Sequence, residues 1–362
     1  MKLRIKRIIG IGLLSAFLFG SVNTLGSQAV PHSVEVKGIS EATFSPSGDV
    51  VALGGQDNLV YLLDPKTGAV VHKLTGHEGM VTYLAFSKDG NTLFTGSADR
   101  TVKQWNMQTK TLVRTFGPHP SNIIHIAVNF NNTKMLAVSD DGTLKGYNVQ
   151  TGGKLYELLG AKNLVKLAEF SADGAYFSTC SEVHNGKQYN ATTGAFLHEY
   201  GKNGLHAFKS VRFSPDGSLI ATASDVEDAS IYNAKTFAHI RRLGSQAGYF
   251  HSLKWSNDAS VLISGAFGGP PRVWNVATGA MICEFKGHTE AVNCVNLNVD
   301  ASLAISSGYD NTAKVWNAKT GELVKDLGVI DGTPAVISNF SPKGEFAYVV
   351  TSDGTFRLYK LI

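Results

Sequence analysis

Residues 76–116 read GHEGMVTYLAFSKDGNTLFTGSADRTVKQWNMQTKTLVRTF, and this stretch shows the plan of the whole chain. Four short runs rich in apolar and β-branched residues, 79–86, 91–97, 101–106 and 111–116, are separated by short polar turns. Such runs predict β-strands, and turns this tight predict that consecutive strands pair antiparallel. The stretch therefore predicts a four-stranded meander.

The same plan recurs along the chain at a nearly constant spacing. The turn after the first strand is similar to Phe-Ser-Pro-Asp-Gly, which is complete at 213–217. Its eight copies begin at Phe44, Phe86, Phe130, Phe170, Phe213, Trp255, Leu297 and Phe340. Neighbouring copies are 40 to 44 residues apart. A period of this length, filled by four strands, is typical of the blade of a β-propeller.

The strand count predicts how the ring closes. Third strands end at Leu63, Trp105, Tyr147, Tyr189, Tyr232, Trp274, Trp316 and Tyr359, which gives eight blades. Little sequence follows the eighth third strand, whereas residues 33–36 alternate like a strand ahead of the first copy. We therefore predict an all-β, eight-bladed β-propeller of four-stranded antiparallel blades, closed by the N-terminal strand completing the last blade. The alternative leaves residues 30–37 as a loose tail.

The first 29 residues have the order of a secretory leader. Four basic residues precede an apolar run over residues 8–19, and small and polar residues follow as far as Ala29. The apolar run is shorter than the roughly 20 residues of a spanning helix. We predict a signal peptide over 1–29 and a single domain over 30–362, hence an exported protein, periplasmic or secreted. After removal of the signal no integral membrane segment is expected. The alternative is an uncleaved membrane anchor.

The remaining sequence carries little that predicts chemistry. The chain has 33 basic and 29 acidic residues, and the leader holds four of the basic ones, so residues 30–362 are formally neutral. A neutral surface gives no footprint for nucleic acid. Metalloprotease and serine-hydrolase motifs are absent from the sequence, and the 11 histidines are scattered. We predict no catalytic residue, no metal and no cofactor. The acidic stretch 225–228 leaves open a weak Ca²⁺ site.

On its repeated motifs the chain resembles the WD40-repeat family over about residues 33–362. Gly-His precedes the first strand at Gly76-His77 and Gly287-His288, and Ser97-Ala98-Asp99 precedes a third strand. Trp closes the third strand at Trp105, Trp274 and Trp316. The Trp-Asp dipeptide itself does not occur, and Asn usually replaces its Asp.

The resemblance implies a buried hydrogen-bond network in two blades. The matching positions are His77, Ser97, Asp99 and Trp105, then His288, Asp310 and Trp316. A buried indole N–H and a buried imidazole both require partners, which gives these residues a structural and not a catalytic role. Asp141 and Asp353 lie six residues before an aromatic residue and are expected to keep part of the network.

The resemblance also implies that the face carrying the Gly-His and Ser-x-Asp loops docks proteins or peptides. Blades four to six depart from the motif on that face, as at Val183 and at 267–271. Register places these residues near its rim: His184, Asp225, Glu227, Asp228, Tyr249, Phe267, Pro271 and Tyr309. We therefore expect a non-catalytic protein- or peptide-binding scaffold of the cell envelope, monomeric by itself. The alternatives are a permanent subunit of an envelope complex, or a propeller enzyme or small-ligand or metal-binding protein acting at the central channel.

Overall fold

Each repeat of the sequence forms one four-stranded antiparallel sheet in the computed structural model. The structure describes residues 33–159, 164–181, 186–200, 208–224, 229–244, 249–329 and 332–361. Within these ranges there are eight such sheets and no helix, which confirms the predicted fold class. All of them belong to one compact unit, Pro31–Ile362. The predicted signal peptide, 1–29, lies outside the described residues, and it stays a prediction.

Four sets of strands build the blades, numbered along the chain. The first strands are β2 Ile39–Phe44, β6 Val81–Phe86, β10 Ile123–Val128, β14 Val165–Phe170, β18 Phe208–Phe213, β22 Tyr249–Trp255, β26 Val292–Leu297 and β30 Ala335–Phe340. The second strands are β3 Val51–Gly55, β7 Thr92–Ser97, β11 Lys134–Ser139, β15 Tyr176–Ser181, β19 Leu219–Ser224, β23 Val261–Phe267, β27 Leu303–Gly308 and β31 Phe346–Thr351.

The outer half of each blade follows the same order. The third strands are β4 Val60–Leu63, β8 Val102–Asn106, β12 Leu144–Asn148, β16 Gly186–Asn190, β20 Ser230–Asn233, β24 Gly269–Asn275, β28 Thr312–Asn317 and β32 Phe356–Lys360. The fourth strands are β5 Val70–Leu74, β9 Thr111–Phe116, β13 Lys154–Leu158, β17 Phe196–Tyr200, β21 His239–Arg242, β25 Met281–Glu284 and β29 Leu323–Val329, with β1 Ser33–Val36 serving the eighth blade.

The hydrophobic core lies between neighbouring blades and not inside any one of them. One buried cluster joins Leu62 and Leu74 of blade one to Leu84, Leu93 and Trp105 of blade two. A blade exposes an apolar sheet face on each side, and only another blade can cover it. The repeats therefore stabilise one another as a ring.

The seam between blades eight and one confirms the predicted closure. Strand β1 pairs antiparallel with β32, with Val34 opposite Leu358 and Val36 opposite Phe356. Across the seam, the Tyr348 hydroxyl donates a hydrogen bond to the carbonyl of Ala42 at 2.5 Å. The N-terminal strand thus occupies a sheet edge that would otherwise offer unpaired backbone groups.

The first strands surround the axis of the ring and give its wall. In β2, β14, β26 and β30 the first, fourth and sixth residues are buried, while the second, third and fifth are partly exposed. A bulge near the start of each first strand, after its first residue or, in β22, after its second, resets the alternation. The buried positions pack between blades, so the partly exposed ones face the axial channel.

The turns between third and fourth strands use Asn or Asp as expected from the sequence. The Asn190 side chain accepts hydrogen bonds from the backbone N–H groups of Thr192 and Thr193. Two copies lack the glycine that ends this turn, and there Lys110 and Phe237 adopt φ of 60° and 62°. A side chain in this left-handed conformation costs about 1–2 kcal/mol. These two blades keep the turn and carry the strain.

Candidate protein-interaction surface

A buried chain of hydrogen bonds lies under one face of blade two. His77 Nδ1 is 2.6 Å from Asp99 Oδ2, and His77 Nε2 is 2.6 Å from Thr95 Oγ1. The indole of Trp105 donates to the same hydroxyl at 2.9 Å. Burial by itself would raise the pKa of Asp99, but hydrogen bonds from His77 and Thr101 outweigh it and hold that pKa well below its usual range.

Blade seven repeats the arrangement with serine as the central hydroxyl. His288 Nδ1 is 2.8 Å from Asp310 Oδ2, and His288 Nε2 is 2.7 Å from Ser306 Oγ. Trp316 donates to the same Ser306 oxygen at 2.7 Å. The two networks sit at equivalent positions, and their imidazoles are almost wholly enclosed. An enclosed and fully bonded imidazole has no proton to exchange with a substrate, so the arrangement is structural.

Ser97 is not the residue that links His77 to Trp105 by hydrogen bonds. Its hydroxyl donates to the carbonyl of Gly79 at 2.8 Å and accepts from the N–H of Asp99 at 3.0 Å. Thr95, two residues earlier in β7, supplies the bridging hydroxyl. Position along the strand explains the difference, because both residues lie on one face of β7, Thr95 is two residues from Leu93, the partner of Trp105, and Ser97 ends the strand at the turn.

A third buried histidine, His119, was not predicted from the sequence. Its Nε2 is 3.1 Å from the hydroxyl of Tyr147, which takes the place of a tryptophan in blade three. Asp141 instead bonds within its own turn, to Ser139 Oγ at 2.6 Å and Thr143 Oγ1 at 2.9 Å. Asp353 does the same in blade eight with Thr351. These aspartates therefore support turns, and neither bonds to a histidine of the described residues.

Acid should destabilise the fold through His119. Burial, with a contribution from the Lys145 cation, lowers the pKa of His119 to about 4, against about 6.5 when unfolded. Between these values only the unfolded chain binds the proton, so stability falls as pH falls, by about 1.4 kcal/mol per pH unit. His119→Gln should flatten this dependence between pH 6.5 and 4.5 in urea unfolding. The exposed His72→Gln is the control, and an equal flattening there would contradict the assignment.

Two aromatic side chains meet on the face above these networks, which we call the upper face. It carries the turns between second and third strands. Phe267 ends β23 and Tyr309 follows β27, and both are 37 % exposed. Their rings lie edge to face with centroids 6.2 Å apart. The hairpin turns at Gly268, which has a φ of 93°, directly after Phe267. The pair therefore bridges blades six and seven at the surface.

An open groove of about 640 Å³ runs beside this aromatic pair. Its walls are the turn of blade six and the connection from blade six to blade seven, residues 267–270 and 286–291. The charged side chains of Lys286 and Glu290 stand on the rim and are exposed. Lys286 pairs with Glu284 at 3.0 Å. An apolar centre with a charged rim is the usual composition of a protein-binding patch.

Of the other predicted surface residues, two are described by the structure and four are not. Pro271 is a correction: it is buried within β24, where its carbonyl accepts a hydrogen bond from Phe285. Strands β23 and β24 extend further than expected, so the predicted loop 267–271 is a hairpin and Pro271 is part of the sheet. Tyr249 begins β22 and pairs with Phe267 across the strands. His184, Asp225, Glu227 and Asp228 lie outside the described residues.

Neither a metal centre nor a spanning helix is found in the described part of the chain. No cluster of three or more histidine, cysteine, aspartate or glutamate side chains is arranged there to hold an ion. None of the described residues forms a helix with the length and apolar character needed to cross a bilayer.

Comparison with known sequences identifies the repeats. Residues 68–106, 110–148, 199–232 and 279–317 match the family described as WD domain, G-beta repeat. These are WD40 repeats. Each match runs from the end of one blade to the third strand of the next, as the blade boundaries require. No curated protein matches the chain significantly.

Solved structures share the architecture at low sequence identity. The C-terminal WD40 domain of Sif2 superposes with a TM-score of 0.82 at 17 % identity, covering 93 % of this chain and all of that one. The computationally designed Ika8 protein gives a TM-score of 0.76 at 23 % identity, covering 90 % of this chain and 96 % of that one. Both likenesses establish the eight-bladed WD40-type propeller as the fold.

Proposed function

We propose that this protein is a non-catalytic scaffold that docks a protein or peptide on the upper face, at blades six and seven. The exposed edge-to-face pair of Phe267 and Tyr309 beside its groove carries the proposal. Aromatic residues in a partly enclosed patch dominate the energetics of protein interfaces. WD40 propellers commonly bind proteins, and the buried histidine networks serve the fold.

Loss of the aromatic pair should abolish capture of the partner. Phe267→Ala with Tyr309→Ala removes the apolar centre, and each truncated anchor costs about 2 kcal/mol or more in binding. The immobilised protein is exposed to native extract, and the amount of each captured protein is compared between wild type and variant. A partner that binds the wild type should be lost at least tenfold from the variant.

A control separates this surface from general stickiness. Phe196→Ala with Leu197→Ala removes a similarly exposed apolar pair from β17, at the outer edge of blade four. Capture should survive that change. Equal loss from both variants, or capture unaffected by the loss of Phe267 and Tyr309, would contradict docking at this surface. Unchanged thermal unfolding of both variants establishes that their folds are intact.

We also propose that the scaffold acts in the cell envelope or outside the cell. Support comes from the leader-like order of the first 29 residues. The mass of the protein isolated from its native source tests this. A chain beginning at Val30 supports export, whereas a chain retaining the leader and recovered with the cytosol contradicts it.

A further inference from the structure

Polar and charged side chains are unevenly distributed around the wall of the axial channel. Going round the ring, the next-to-last residues of the first strands are Thr43, Ala85, Ala127, Glu169, Arg212, Lys254, Asn296 and Asn339. Blades two and three thus present only small apolar side chains at this level. Blades four to eight present an unbroken polar run, and three charged residues stand side by side within it.

The charged groups influence one another across the channel. Burial and the charge of Arg212, which lies in blade five, together lower the pKa of His125 in blade three to about 3. Burial raises the pKa of Cys294 in blade seven, and Glu41 in blade one adds to that effect. In each pair the two residues stand two blades apart, so their electrostatic interaction acts across the axial channel. The ring of His125 also packs against Tyr83 with centroids 4.6 Å apart.

Several polar atoms in this region have no hydrogen-bond partner. They are shielded from solvent and belong to neighbouring first strands: His125 Nδ1, Glu169 Oε2, Arg212 Nε, Ser210 Oγ and Ser252 Oγ. Arg212 Nη1 stands 3.8 Å from Glu169 Oε2, which is too far for a hydrogen bond. Buried polar groups in folded proteins are normally satisfied. This concentration of unmet donors and acceptors points to a bound group.

Lys254 is a cation of the channel wall for which the described residues supply no counter-ion within ion-pair distance. Among the described residues its ammonium makes no hydrogen bond and no ion pair within 4.0 Å, and it is exposed towards the inside of the ring. Burial within the ring, together with repulsion from Arg212, lowers the pKa of Lys254. Two cations therefore face one carboxylate, Glu169, in this part of the wall. An anion between them would offset the repulsion and bond the guanidinium.

We propose that Arg212 and Lys254 bind a small oxyanion, a carboxylate or a phosphate, inside the axial channel. The Arg212 side chain is 31 % exposed and carries N–H donors in a planar fork, and Lys254 adds a point charge from the next blade. Glu169 sits on the far side of Arg212 and competes with the ligand for it. The site is separate from the docking surface, since it lies on first strands at the axis and not on the upper face.

The test is calorimetric titration of the purified protein with sodium phosphate and, separately, sodium succinate at constant ionic strength. Saturable binding of one ion per chain is expected, and the anion that binds assigns the phosphoryl or the carboxylate class. Lys254→Met should weaken binding about tenfold or more, whereas Lys254→Arg should retain it. The control, Lys319→Met, removes the same charge from an exposed turn and should change nothing.

Glu169→Gln should change the affinity for the anion in the opposite direction. Removing the competing carboxylate should tighten binding, by about threefold to tenfold. Circular dichroism and thermal unfolding identify variants that fold as the wild type does, and only those are compared. The proposal is overturned if neither anion saturates the wild type, if Lys254→Met and Lys319→Met weaken binding equally, or if Glu169→Gln weakens it.

Discussion

Replacing Trp316 by alanine is expected to lower the free energy of unfolding by about 3–5 kcal/mol. The indole is 1 % exposed, stacks on Phe285 with centroids 5.2 Å apart, and fills the space between blades six and seven. Its removal leaves a cavity and deprives Ser306 of a donor. Urea unfolding followed by fluorescence or circular dichroism measures the loss as a shift of the midpoint.

Two companion variants divide this loss between packing and hydrogen bonding. Trp316→Phe keeps most of the apolar volume but loses the hydrogen bond to Ser306, which retains His288 as a partner, so it should cost about 1 kcal/mol. Phe130→Ala removes a ring that is 65 % exposed and should cost less than about 0.5 kcal/mol. A Trp316→Ala variant no less stable than Phe130→Ala would show that the network and its packing do not hold the blade.

The number of blades and the closure of the ring were predictable because both depend on local patterns. Alternation of apolar residues gives strands, and Asp-Gly or Asn-x-x-Thr-Gly turns give antiparallel pairing. Eight copies of such a pattern leave one strand short, and residues 33–36 supply it. Long-range contacts are needed only to confirm which edge β1 joins.

The details of the networks were less predictable because they depend on how far along a strand each side chain lies from its partner. Thr95 and Ser97 are both hydroxyl residues near the end of β7, and only the geometry of the blade shows that Thr95 bridges His77 and Trp105. His119 follows Gly117 with a proline between them, so it departs from the Gly-His motif while still reaching Tyr147. One displaced residue was enough to hide it.

The channel charges left a signal that motif comparison does not use. Glu169, Arg212 and Lys254 each stand one residue before the aromatic that begins the Phe-Ser-Pro-Asp-Gly turn. Alignment of the repeats therefore shows three charges at one equivalent position in consecutive copies. Their meaning appears only when the ring brings those positions together at the axis.

Disrupting the closing strand is expected to open the ring. Glu35→Pro with Val36→Pro removes one backbone donor to β32, since adjacent N–H groups point to opposite sides of a strand. It also separates Glu35 from Arg357, to which it is bonded at 3.0 Å, and withdraws Val36 from the core at the seam. Losing these contacts should cost about 3 kcal/mol. It should also leave β32 as a free edge, which promotes association between molecules. Urea unfolding measures the first effect and size-exclusion chromatography with light scattering the second.

The matched control introduces two prolines into the outer strand of blade one, a strand that does not close the ring. Val70→Pro with Val71→Pro disrupts β5. Both valines are exposed, and blade one still packs against a neighbouring blade on each side. Because the ring stays closed, this variant should lose less stability and remain monodisperse if the wild type does. If the β1 variant is as stable as the wild type, or less affected than the β5 variant, then the seam is held by packing between blades eight and one, and strand β1 contributes little to closure.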